Sequence, residues 1–130
     1  KIFKHMAKDK YLGLLHCSDV MLDPLYRGCG TTAFDAFGVG LPIVTMPGMH
    51  SRSRAVYGLY KIMGIENPPI ASSSLEYINW CSKIIGKNDD TYRLREDILA
   101  RYNKISEQNK KCVSEITSLI KRLALSERID

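Results

Sequence analysis

The chain has 130 residues, 45% of them hydrophobic, and a formal net charge of +5. That length and composition suit one domain with its own core. No apolar run reaches membrane-spanning length and the first residues show no signal-peptide pattern, so no membrane span is expected and the predicted setting is cytoplasmic. Cys17, Cys29, Cys81 and Cys112 form no C-x-x-C pair, and His5, His16 and His50 are dispersed. Neither a disulfide framework nor a bound metal is therefore expected. The positive charge would suit a polyanion, and a basic nucleic-acid binder would show steep salt dependence. The basic residues, however, alternate with acidic neighbours along several segments, as on solvated faces, so no nucleic-acid partner is expected.

In chain order, residues 1–4 read as the end of a strand. Residues 10–17 read as a helix with Leu12, Leu15 and His16 able to share a face. A short apolar strand, 20–22, runs into Asp23-Pro24. After a glycine-rich loop, residues 31–37 form a helix that 38–40 close. The next strand, 42–46, ends at Pro47-Gly48, which cannot easily continue a ladder. A helix over 52–63 places Ala55, Val56, Leu59, Ile62 and Met63 on one face. Residues 68–71 suggest a brief strand, and Ser73 with Glu76 has the spacing of a capping box that opens a helix to about residue 85. After a turn at 86–90, helix formers dominate almost to the end, predicting two helices with a break near 106–109.

Strands separated by helices predict an α/β fold: a partial Rossmann-like parallel sheet flanked by helices, with a helical C-terminus. Residues 1–87 would form the incomplete core and 88–130 the closing helices of the same domain. A complete nucleotide-binding domain of this kind has about five or six strands. Only three or four are predicted, so the chain is expected to be the C-terminal part of a longer enzyme and inactive alone.

Ligands of such sheets sit beyond the carboxyl ends of the strands, where two loops fall, 23–32 and 46–54. In the first, Gly28 and Gly30 lack a Cβ, so the chain can take positive φ and bring its amides close to a ligand. Thr31 and Thr32 then open a helix, and either hydroxyl can cap free N–H groups or donate to a phosphate oxygen. The helix dipole adds roughly 0.3 to 1 kcal/mol per charge at an exposed terminus. A diphosphate is the natural occupant. Asp35 follows Thr31 by about one helical turn, where its carboxylate can accept from vicinal hydroxyls such as those of a ribose. The plainer reading is a turn at Gly28 and Gly30, an N-cap at Thr31 and a solvated Asp35. In the second loop, Arg54 is expected to meet ligand phosphate or sugar, and Arg52 to be an ordinary exposed charge.

The longer pattern favours the ligand. Tyr11-Leu12 with Leu14-Leu15, Asp19-Val20-Met21-Leu22-Asp23-Pro24, Gly28-Cys29-Gly30-Thr31-Thr32, Asp35-Ala36, Gly40-Leu41-Pro42-Ile43-Val44-Thr45-Met46-Pro47-Gly48 and Ser53-Arg54 occur in order over about half the chain. This pattern resembles the nucleotide-sugar-binding half of the GT-B glycosyltransferases, and most of all the protein O-GlcNAc transferase family with its bacterial relatives. The resemblance implies that the turn at Gly30, Thr31 and Thr32 holds the diphosphate of a UDP-sugar, with Gly30 standing where the animal enzymes have histidine. It implies that Asp35 binds the ribose. It places Tyr11 where the family packs a ring on the uracil; an ordinary half-buried helix tyrosine is the alternative there.

The expected function is inverting transfer of a sugar, N-acetylglucosamine by resemblance, from UDP to an acceptor hydroxyl, with protein as one acceptor class. The absence of a D-x-D pair agrees with a metal-independent reaction, in which preorganised amides stabilise the leaving diphosphate. No residue stands out as the general base. The expected partners are the nucleotide-sugar, the acceptor and the rest of the parent chain. The rival expectation is a transferase-like binding or scaffolding module without turnover.

Overall fold

The computed structural model describes residues 2–86 and 88–126. Its elements are α1 (Lys8–His16), β1 (Met21–Leu22), α2 (Thr31–Gly38), β2 (Ile43–Val44), a single 3-10 turn at Ser51–Ser53, α3 (Ala55–Met63), α4 (Ser74–Ile85) and α5 (Asp89–Ser126). The architecture is the expected one: a small parallel sheet flanked by helices, with a helical C-terminus.

β1 and β2 pair in parallel, Met21 opposite Ile43 and Leu22 opposite Val44. The segment expected as a strand at 68–71 joins through one parallel bridge, Thr45 to Ile70. The Thr45 amide donates to the Pro69 carbonyl at 3.0 Å, and the Ala71 amide to the Thr45 carbonyl at 2.8 Å. Prolines at 42, 47, 68 and 69 surround these ladders and keep them short, because proline has no N–H to donate.

Two glycines close helices, the first of them as the sequence suggested. Gly40, at φ +69°, follows α2; its amide donates to Phe37 O and that of Leu41 to Ala36 O, the paired bonds of a Schellman ending. Gly64 ends α3 in the same way, at φ +65°. At the head of α4, Ser73 Oγ accepts from the Glu76 amide. The Glu76 carboxylate returns to the amide and hydroxyl of Ser72 rather than to Ser73, a capping box displaced by one residue. Those two hydrogen bonds lower the Glu76 pKa.

Several expectations need correction. Residues 2–7 form no strand, and Ile2 is 98% exposed; Lys1 lies outside the described residues. On α1, Leu15 is buried and Leu12 packs against the core, but His16 is exposed. The buried face of α3 is Val56, Leu59, Tyr60 and Met63, with Ile62 left 66% exposed. Tyr60 takes the core position because its hydroxyl has a built partner: it donates to Ile43 O at 3.0 Å and accepts from Ile43 N–H at 2.9 Å. Its ring meets Phe37 edge-on at 5.0 Å. Finally, α5 runs unbroken through 106–109. Its range contains neither glycine nor proline, and isolated serine or asparagine does not end a helix. The turn expected at 86–90 includes residue 87, and the last residues of the expected helices, 127–130, also lie outside the described set.

The core joins all these layers. Ala33, Ala36 and Phe37 of α2, Leu41, Ile43, Val56, Tyr60 and Ile98 of α5 are all fully buried. Arg95 of α5 caps α1 from across the fold, donating to Ser18 O at 2.9 Å and His16 O at 3.4 Å. The net effect is to fix α1, α2 and α5 around the point where β1 and β2 end.

Candidate functional site

The loop after β1 is held from beneath. Asp23, 3% exposed, accepts from the Cys29 amide through Oδ1 and from the Thr45 hydroxyl through Oδ2, both at 2.6 Å. The Asp23 carbonyl accepts from the Tyr77 hydroxyl at 3.1 Å. The Gly28 amide donates to Arg52 O at 3.1 Å, so the two loops at the carboxyl ends of the strands touch.

Gly28 and Gly30 do not take positive φ, contrary to the use expected of them. Gly28 is needed for closeness: a Cβ there would meet Asp23 Oδ1 at 3.0 Å and Arg52 O at 3.4 Å. Around Gly30 a Cβ would meet nothing within 4 Å, so the space beside this residue is open. Gly30, not Thr31, is the N-cap of α2, and no side chain caps that helix. Among the described residues none accepts from the amides of Gly30, Thr31 or Thr32. These three N–H groups stand at an exposed helix N-terminus between two exposed threonines, an arrangement able to bind negative oxygen.

The other candidates arrange themselves around this turn. Asp35 is half-buried on α2, one turn on from Thr31. Tyr11, half-buried on α1, has its phenol pKa raised first by burial and then by the nearby Asp35 and Cys29. Tyr102 of α5 is raised for the same first two reasons, burial and Asp35. Asp35 is thus near enough to both phenols for its charge to act on them. Cys29 is pushed up mainly by burial, with Asp23 adding and the Thr32 hydroxyl opposing. Arg54 is turned to its own loop: it donates to Gly48 O at 2.9 Å and lies 4.7 Å over the Tyr57 ring. The Arg52 side chain is exposed, as expected of it.

No family model and no curated protein matches the sequence. Among solved structures, a point mutant of the Thermobaculum terrenum O-GlcNAc transferase matches 90% of this chain with a TM-score of 0.74 at 26% identity. The chain is similar to an O-GlcNAc transferase. It spans 22% of the length of that transferase. The likeness extends beyond the motif-bearing half of the sequence, and it supports the reading of this α/β unit as a glycosyltransferase-like fragment.

Two features of this transferase-like unit were not anticipated. One is the role of Asp23, which the sequence shows as an acidic residue closing an apolar strand directly before proline, within the family-like pattern but with no site role assigned. The other is a groove of about 540 Å³ between α4 and α5, lined by Trp80, Lys83, Leu94, Asp97 and Arg101 among others. It includes none of the candidate residues. Of its charges, Lys83 pairs with Asp90 and Arg101 with Asp97, while Glu66 and Arg93 also line it. Its cations are mixed with carboxylates, whereas the amides at Gly30–Thr32 have no acceptor among the described residues. For an anion, free donors outweigh concavity, and the glycine turn remains the stronger candidate. Among the described residues there is no cluster able to hold a metal ion, and no helix is long and apolar enough to cross a membrane.

Proposed function

We propose that this chain is the donor-binding part of a glycosyltransferase that uses a UDP-sugar, with N-acetylglucosamine as the sugar and an acceptor hydroxyl, on protein, as the recipient. The observation that carries the reading is the set of three free amides at Gly30, Thr31 and Thr32, with the half-buried Asp35 one turn away. A diphosphate on those amides would place its ribose towards Asp35, and Tyr11, near enough to Asp35 to feel its charge, would pack on the base. Gly28, Gly30, Thr31, Thr32, Asp35 and Tyr11 form the proposed donor site. Arg54 acts there indirectly, by holding the neighbouring loop.

In the proposed inverting displacement the acceptor hydroxyl gives its proton to a base supplied by further chain, and its oxygen attacks the anomeric carbon as the bond to UDP breaks. Negative charge grows on the departing diphosphate, and the aimed amides and the α2 dipole stabilise it without reorganising. The proposed reaction needs no metal. The rest of the catalytic unit, supplied by further chain, is the expected partner, and a cytoplasmic location is expected.

Isothermal titration of the chain with UDP, UMP and uridine tests this. The reading expects saturable UDP binding that weakens stepwise as each phosphate is removed, and Asp35→Ala to weaken all three while leaving the melting temperature unchanged. No heat with millimolar UDP, or equal binding of UDP and uridine, would refute it.

A further inference from the structure

A buried carboxylate directly beneath a proposed anion site is an electrostatic liability, so its presence calls for a reason. Asp23 uses both of its oxygens: Oδ1 fixes the Cys29 amide and Oδ2 fixes Thr45 at the end of the adjoining strand. Its carbonyl is fixed by Tyr77 of α4. The preceding amide, Gly28 N–H, is tied to Arg52 O. Two consecutive peptide planes are thereby oriented by bonds to two different anchors, and the helical bond from Ala33 N–H to Gly30 O at 3.0 Å fixes the far side of the turn, so the short stretch between them has little freedom left. The free amides begin at the very next residue, Gly30.

We propose that Asp23 is the positioning residue of the donor site: its carboxylate, braced by Thr45, aims the amides of Gly30, Thr31 and Thr32 outward. The proposal rests on reading that turn as a diphosphate site. It makes Asp23 a geometric device rather than a charge. Asparagine can keep both bonds, accepting from Cys29 N–H through its oxygen and donating to Thr45 Oγ1 through its nitrogen. Alanine keeps neither.

The test compares wild-type chain with Asp23→Ala, Asp23→Asn and Thr45→Val, by amide NMR of the free proteins and by titration with UDP, at a temperature where each is folded. The expected result is displaced amide resonances at 28–32 in Asp23→Ala, with UDP binding weakened about tenfold, equivalent to about 1.4 kcal/mol. Asp23→Asn should restore both the resonances and, within about threefold, the affinity; Thr45→Val should fall between. If Asp23→Ala does not fold, Thr45→Val carries the same comparison. Unmoved 28–32 resonances in Asp23→Ala, or in Thr45→Val if it stands alone, would overturn the proposal. So would an Asp23→Asn variant as weak as the alanine. Displaced resonances in a series whose wild-type member binds no UDP would support the positioning and overturn the diphosphate reading.

Discussion

The two loops at the carboxyl ends of β1 and β2 are built on opposite plans. Loop 23–32 is anchored from below, by Asp23 and Tyr77, and leaves its last three amides free. Loop 46–54 is stapled to itself. Ser53 Oγ accepts from the Gly48 amide at 3.2 Å and donates to His50 O at 2.9 Å, while Arg54 holds Gly48 O. One loop spends its side chains on orientation and keeps its backbone available; the other uses side chains and backbone to close upon itself. Polar groups that a fold satisfies internally are scaffold, and those it holds open at a helix terminus can serve a ligand.

Glycine substitutions should separate the two roles most sharply. Gly28→Ala forces a Cβ against the Asp23 carboxylate and is expected to cost about 1–3 kcal/mol of stability, read by urea unfolding, together with most UDP affinity. Gly30→Ala has open space and should change stability by no more than about 0.5 kcal/mol, yet weaken UDP about tenfold by covering the approach to the amides. Equal effects at the two positions would erase the distinction between anchor and receptacle.

Smaller effects refine it. Ser53→Ala removes the acceptor for Gly48 N–H and should cost about 1 kcal/mol in unfolding while leaving UDP affinity within about twofold. A large loss of affinity would make loop 46–54 part of the receptacle. The mildest test is alkaline pH. Burial, with Cys81, Asp23 and Cys29 nearby, pushes the Tyr77 phenol from 10.0 up to about 12, and burial raises Tyr60 further still. The folded state therefore binds these protons more tightly than the unfolded chain. Their stabilisation is complete below pH 10 and declines as pH rises from 10 towards 12. Melting temperatures across that range should fall, and less steeply in Tyr77→Phe; a profile that stays flat to pH 12 would contradict the described packing of both rings.

The sequence disclosed the parts of this site that follow from local chemistry. Two glycines, adjacent threonines and an aspartate one turn on mark a strand, loop and helix whatever surrounds them. Long-range partners were hidden. Asp23 reads as a strand end until Thr45, twenty-two residues away, is seen to donate to it. Helical spacing puts Ile62 on the buried face, whereas the core position goes to Tyr60, whose hydroxyl bridges the backbone of Ile43, a partner that spacing does not show. The orientation of Arg54 was also unreadable, since its acceptor is a backbone carbonyl that any sequence supplies. The predicted break at 106–109 gave weight to polar composition where the helix needs only the absence of glycine and proline.

The most direct measurement is the amide spectrum of the isotopically labelled chain during titration with UDP. The account predicts that Gly30, Thr31 and Thr32 N–H resonances move first and furthest, with Asp35 and Tyr11 following and Gly48 nearly still. Saturating UDP that leaves those three amides unmoved, or that perturbs the Trp80 groove instead, would contradict it.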